Sequence, residues 1–342
     1  MISTRLTEMF GLRHPIILGP MGGVSGGRLA VAVSNAGGLG LIGAGYGDEG
    51  WLSRELAHVQ AAAHAPWGVG FITWSAQRSA VELALNARPD AVMLSFGDPR
   101  PLGAIVRAAG CKLLCQVQDV AGARLARAAG ADLVVAQGSE AGGHGGERGT
   151  LALVPAVVDA IDPIPVVAAG GIAGGRGLAA ALMLGAQGAL IGTRFYASTQ
   201  ALGHELAKKR IVEASGDDTA RTHLFDEVRG IAWPRGYSGR ALRNAFLRRW
   251  QGRGHELAAA LAQERAVYWD ATRDGDFDTA VVWAGEAVDQ VRSIEHAEVL
   301  VRRIAAEAEA LLQSVSANVR GSRRKRERAA ISRHPTPQEE ST

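Results

Sequence analysis

The sequence predicts an α/β fold: a (β/α)8 TIM barrel with a smaller, mainly helical appended domain. Three observations predict it. Eight short apolar runs, rich in β-branched residues, recur before residue 200. Most are apolar on both faces, as parallel strands covered by helices are, and their spacing of roughly 20 to 30 residues is that of a strand plus a crossover helix. Glycine, 44 of 342 residues, is about twice as frequent as usual and gathers at the ends of these runs.

Taken in order, the strands are expected at 16–19, 39–43, 68–72, 91–96, 112–117, 133–137, 165–169 and 189–192. Amphipathic helices are expected between them at 27–36, 51–63, 76–87, 101–109, 121–129, 151–160 and 175–184. Two of these helices end in one phrase, RAAGCK and RAAGAD, and a third ends in MLGAQG. Glycine just past a helix is the expected left-handed C-cap. A doubly wound sheet commonly has five or six strands, so eight units favour a closed barrel. Beyond Phe195 the stretches ELAKKRIVEA, RALRNAFLRRW and HELAAALAQERAVYW read as helices, and no strand pattern recurs. The expected organisation is a barrel over 1–204, a helical domain over 205–290, a helix over 291–316 returning to the barrel, and a basic, disordered tail over 317–342.

The bulk composition, 47% hydrophobic and 21% charged, is that of a soluble globular protein. The net charge of +3 resides in the tail: residues 320–342 hold seven Arg/Lys and three Glu, leaving the rest near −1. A single basic run reads as solvated tail rather than as a nucleic-acid surface. Cys111 and Cys115 flank or lie in one apolar run and read as buried, reduced thiols of a cytoplasmic protein. The N-terminus carries no signal pattern, and no apolar run is long enough to span a membrane.

In such barrels the chemistry sits at the C-terminal ends of the strands. The seventh and eighth ends, AAGGIAGG and IGTRF, suit phosphate binding: backbone free of side chains lets several N–H groups point at one anion, and a helix dipole adds to them. Gly170, Gly171, Gly192 and Thr193 are the candidates. No GxxxxGK[ST] or HExxH motif is present, and no metal site is expected. The sixth end, QGSEAGGHGG, places His144 between two pairs of glycines. Such a loop can press against a planar ligand, and the imidazole can act as general base on a carbon acid. The other reading is a histidine that only hydrogen-bonds locally. Glu140 and Glu147 are its nearby carboxylates. Phe71, Trp74, Phe96 and Phe195 either wall a pocket or pack in the core.

PIILGPMGG, NAGGLGLIG, QGSEAGGHGG, AAGGI and GTRF, in this order, resemble the nitronate monooxygenase (2-nitropropane dioxygenase) family, and WPRGYSGRALRNAF is also similar to its members. The resemblance extends to flavin-dependent enoyl-ACP reductases and NADH:quinone reductases. It implies non-covalent FMN held by Gly19, Pro20, Met21, Gln137, Gly142 and Gly143. Gly170 and Gly171 would hold the phosphate, completed by Leu190, Ile191, Gly192 and Thr193. Gly70 occupies a cofactor-side position where many members have asparagine. His144 matches the family histidine that acts as base or positions substrate. The implied reaction oxidises an alkyl nitronate with O₂ to a carbonyl compound and nitrite. The alternative is an NAD(P)H-dependent FMN reductase acting on a quinone or enoyl thioester. A small-molecule substrate and O₂ are the expected partners, without nucleic acid or membrane; a homodimer is compatible with the sequence.

Overall fold

The computed structural model describes the backbone of residues 1–331 and side chains through residue 318. Eight parallel strands form the main sheet: β1 (Ile16–Leu18), β2 (Gly40–Gly45), β3 (Trp67–Ile72), β4 (Ala91–Ser95), β5 (Lys112–Val117), β6 (Leu133–Gln137), β8 (Val166–Ala169) and β9 (Ala189–Ile191). A short strand, β7 (Gly143–Gly145), follows β6 but leaves the barrel. The order β1-β9-β8-β6-β5-β4-β3-β2 closes between its two ends. There Leu18 N–H donates to the Leu39 carbonyl and Leu39 N–H to the Ile16 carbonyl, each at 2.9 Å.

Strand alternation sorts the apolar residues into two layers. Ile17, Leu41, Met93, Leu114, Val135, Val167 and Leu190 fill the barrel. Their neighbours Ile16, Ile42, Val92, Leu113, Val134, Val166 and Ile191 face the surrounding helices. The seven expected helices all form, each within two residues of its expected bounds. Their glycine stops behave as the repeated phrases require: Gly110, Gly130 and Gly185 have φ of 72°, 79° and 93°.

An additional helix, Arg5–Phe10, was not anticipated from the apolar pattern. Thr4 caps it through a hydrogen bond from Thr7 N–H, and Gly11 ends it at φ 64°. Leu6, Phe10 and Leu12 pack with the barrel-filling residues, so the helix plugs the end of the barrel opposite the strand C-termini.

The appended domain, expected to be mainly helical, also holds strands that no sequence pattern announced. It contains β10 (Thr219–Thr222) and β11 (Ser238–Leu242), and β11 pairs antiparallel with both β10 and β7. The stretch RALRNAFLRRW therefore splits. Its first residues, 240–242, extend as the end of β11 along β10, and Asn244 starts the helix Ala245–Trp250 by accepting from Leu247 N–H at 2.9 Å. Phe225, Phe246, Leu247, Trp250, Leu257 and Tyr268 form this domain's own core. The final helix, Ala297–Ile331, packs on the helices Gly175–Met183 and Gly27–Asn35. It runs past the expected boundary at 316, in keeping with the strong helix propensity of Arg, Lys, Glu and Ala. The remainder of the expected tail, 332–342, lies outside the described residues.

Cys115 is buried and Cys111 half-buried, both are free thiols, and burial pushes them up to about 12 and about 11 respectively. Among the described residues no helix is long and apolar enough to cross a membrane.

Leu6 is fully buried. Leu6→Ala is expected to destabilise the protein by about 2–5 kcal/mol, measured by urea unfolding; an unchanged midpoint would mean that the plug contributes nothing to the barrel.

Candidate active site

A cavity of about 470 Å³ opens at the C-terminal ends of the barrel strands. Glycine dominates its barrel side because backbone approaches backbone there. A Cβ on Gly43 would lie 2.5 Å from the Met21 carbonyl carbon, and one on Gly19 would lie 3.2 Å from Gly192 Cα. Gly170 and Gly171 have φ of 98° and 70°, a region that L side chains rarely adopt. The Thr193 hydroxyl accepts from Gly285 N–H at 3.0 Å, which leaves its own proton available to the cavity.

Gly19, Pro20, Met21, Gly70, Gln137, Gly142, Gly143, His144, Gly170, Gly171, Leu190, Gly192 and Thr193 all line the cavity. Ile191 does not. It follows Leu190 on a strand, so its side chain points the other way, into the layer between sheet and helices. Phe71 and Phe96 also reach the cavity, whereas Phe195 is packed in the core. Phe96 holds a left-handed φ of 65°, uncommon for a bulky residue, and its ring meets Trp233 and Tyr237.

Gly70 has a specific neighbour. A Cβ there would sit 2.4 Å from both Cβ and Cγ of Pro20. The proline ring occupies the space that a side chain from β3 would need.

His144 is held from three sides. It sits in β7, opposite Gly239 of β11. Its backbone carbonyl accepts from Gln137 Nε2 at 3.0 Å, and Gln137 Oε1 in turn accepts from Gln116 Nε2 and Gln118 Nε2 at 3.2 and 2.9 Å. The preceding loop is clamped by two arginines of the appended domain: Arg221 Nε and Arg240 Nε both donate to the Ser139 carbonyl, at 3.2 and 3.0 Å. The imidazole, 8% exposed, stacks on Trp233 with centroids 3.5 Å apart and planes 7° from parallel. Its Nε2 lies 2.8 Å from Asp226 Oδ2.

Neither loop carboxylate pairs with the histidine. Glu140 accepts from Thr150 N–H and from the Thr150 hydroxyl at the start of the helix Thr150–Ile161. Glu147 is exposed.

The sequence reading missed Asp226, Arg229, Trp233 and Trp283, all contributed by the segment after the barrel. Arg229, Trp233 and Trp283 line the cavity. Trp233 Nε1 donates to the Tyr46 hydroxyl at 3.0 Å, which ties the appended domain to the end of β2. The motif WPRGYSG was a pointer to Trp233. Asp226 lies 82 residues from His144, and no local pattern pairs them.

A family model for nitronate monooxygenase matches residues 3–79 and 70–307. The chain belongs to the nitronate monooxygenase family. It is 38% identical to the nitronate monooxygenase npaC of Metarhizium robertsii, over 89% of this chain and 93% of that protein. Among solved structures it resembles FabK from Thermotoga maritima, with a TM-score of 0.83 at 31% identity, covering 93% of this chain and all of that one. It also resembles the nitroalkane oxidase of Streptomyces ansochromogenes, with a TM-score of 0.76 at 30% identity over 91% of this chain and 99% of that one. The protein is therefore an oxidoreductase of a nitronate-oxidising family.

Two predictions follow from the packing and the electrostatics of the site. Gly70→Ala is expected to cost about 1–3 kcal/mol by overpacking against Pro20, and Pro20→Gly in the same chain to relieve that cost, read as a coupling in a double-mutant cycle. Additive melts would show that the two do not compete for space.

Burial lowers the His144 pKa below its ordinary 6.5, with the Asp226 hydrogen bond opposing and Arg229 and Arg221 adding to the fall. As pH drops, the unfolded chain takes up the proton first. The stability tied to the neutral ring is thus complete above 6.5 and lost below it. Relative to His144→Gln, the wild-type protein is expected to lose unfolding free energy as pH falls through that window. A flat difference would mean that the folded protein does not hold the ring neutral.

Proposed function

We propose that this protein binds FMN non-covalently in the cavity. There it oxidises alkyl nitronates, and nitroalkanes after deprotonation, with O₂ to a carbonyl compound and nitrite. The observation that carries this reading is His144: a buried imidazole with a lowered pKa on the wall of a glycine-lined cavity, in a chain of this family.

The residues fit the cofactor. The cavity volume, about 470 Å³, lies in the usual range for small-molecule and cofactor sites. Gly170, Gly171, Gly192 and Thr193 would hold the phosphate, since their backbone can approach an anion closely and Thr193 adds a hydroxyl donor. A side chain on Gly170 would meet Gly138 O at 2.9 Å, so the turn requires glycine. Gly19, Pro20, Met21 and Gly70 at the first and third strand ends, with Gln137, Gly142 and Gly143 at the sixth, would bound the ring system. Bound FMN supplies the electron transfer between substrate and O₂.

The side chains around it bind, shield and move the proton. His144 takes a proton from the carbon bearing the nitro group, or orients a nitronate that arrives already deprotonated. Trp233, Trp283 and Phe96 bring apolar surface to the cavity wall and exclude water. Arg229 places a positive charge on the same wall, favourable to the negative nitro oxygens.

Purified protein is expected to be yellow, and propyl-2-nitronate is expected to bleach the flavin absorbance anaerobically without NAD(P)H. His144→Ala should lower kcat/KM for the neutral nitroalkane by about 10²–10⁴. Bleaching by NADH or NADPH, with no response to nitronate, would overturn the reading in favour of a reductase of quinones or enoyl thioesters.

A further inference from the structure

We propose that Asp226 is the positioning residue of this site: it holds His144 as the Nε2–H tautomer, so that Nδ1 is the atom that accepts the substrate's proton. The inference rests on the reading of His144 as a base and deepens it.

The geometry makes the assignment. Asp226 Oδ2 lies 2.8 Å from His144 Nε2, and the two residues are 4% and 8% exposed. A carboxylate can only accept, so Nε2 must donate. In the neutral ring the lone pair is then on Nδ1. Among the described residues Nδ1 has no protein partner, and the ring lines the cavity. The opposite tautomer would set the Nε2 lone pair against a carboxylate oxygen, out of reach of water. Arg229 Nη1 stands 3.6 Å from the other oxygen, Oδ1, and balances the carboxylate's charge.

The proton transfer then balances within the site. The substrate's C–H bond breaks, the Nδ1–H bond forms, and the electron pair moves into the carbon–nitrogen bond with its charge on the nitro oxygens. The imidazolium left behind keeps its Nε2–H on Asp226, so the new buried cation already has its counter-charge. The charged groups facing the ring are Asp226 and Arg229 from the helix Leu224–Arg229 and Arg221 from β10. Asp226 alone favours the cation. The barrel cannot supply this function: none of its carboxylates is hydrogen-bonded to His144 among the described residues.

The test uses the holoenzyme and the near-isosteric Asp226→Asn variant. Nitrogen-15 spectra of histidine-labelled protein, with His144→Gln to assign the signal, are expected to show His144 protonated at Nε2. Asp226→Asn is expected to lower kcat/KM for a neutral nitroalkane by about 100-fold or more, while turnover of the same compound supplied as its nitronate stays within a few-fold. The acid limb of the nitroalkane profile should move to lower pH, because the carboxylate no longer favours the imidazolium.

An Nδ1–H tautomer in the wild-type protein would overturn the proposal. So would equal losses with nitroalkane and nitronate, which mark a merely structural role, or no loss with either. If the wild-type protein consumes neither substrate, the functional reading fails, and the tautomer spectrum still decides the role of Asp226.

Discussion

The arrangement of the site depends on one short piece of pairing, the three residues of β7 against β11. β6 is the sixth barrel strand, and an ordinary crossover would lead from it directly to the next helix. The chain instead extends outward and pairs with a strand almost a hundred residues further on. That pairing turns a glycine-rich loop, with little stiffness of its own, into a fixed mount for an imidazole. It is itself exacting. Gly239, the residue opposite His144, would drive a Cβ to within 2.4 Å of the Trp283 ring. The close packing of Trp283 against β11 therefore requires glycine at that position, and the position of His144 follows from it.

Glycine serves two physical ends in this molecule. At the helix stops, Gly110, Gly130 and Gly185 supply left-handed backbone, an end served wherever a βα unit repeats. At the strand ends it supplies absence of bulk, as where Gly43 receives the Met21 turn. Gly70 belongs to the second group with a difference: the missing side chain is compensated by a proline ring from another strand end. The space beside Gly70 is thus closed by packing of the β1 end against β3 and is not an open hole.

Much of the barrel was legible because buried parallel strands declare themselves by unbroken apolar runs and their helices by glycine stops. Those signals are local. The strand-end glycines and His144 were legible for a related reason: position in a βα unit is read from the unit itself. Asp226, Trp233 and the strands β10 and β11 were not. β11 lies in a stretch whose composition also suits a helix, and pairing with β10 and β7 decides the outcome, an override of propensity by tertiary contacts. Asp226 sits in the first turn of a short helix, where an acidic residue is ordinarily read as answering the helix dipole. Its role comes from a contact 82 residues away. The outward turn of the Ile191 side chain needed only the alternation of a strand to be foreseen.

The two domains divide the work by the kind of group each can place. The barrel brings backbone to the cavity, and the two carboxylates it places there are taken up by helix starts: Asp48 accepts from Trp51 N–H and Glu140 from Thr150 N–H. Such carboxylates stiffen the loops but have little freedom to act on a ligand. The appended domain brings the charged partners: Asp226 on the imidazole, Arg229 beside it, and Arg221 and Arg240 on the loop that carries it. A barrel whose strand ends are mostly glycine leaves the cavity open, but for the same reason has few side chains left to fix the orientation of the imidazole. Supplying that constraint from a second domain resolves the conflict. It also explains why the residues that complete the site lie beyond the barrel in a sequence whose barrel is so readily recognised.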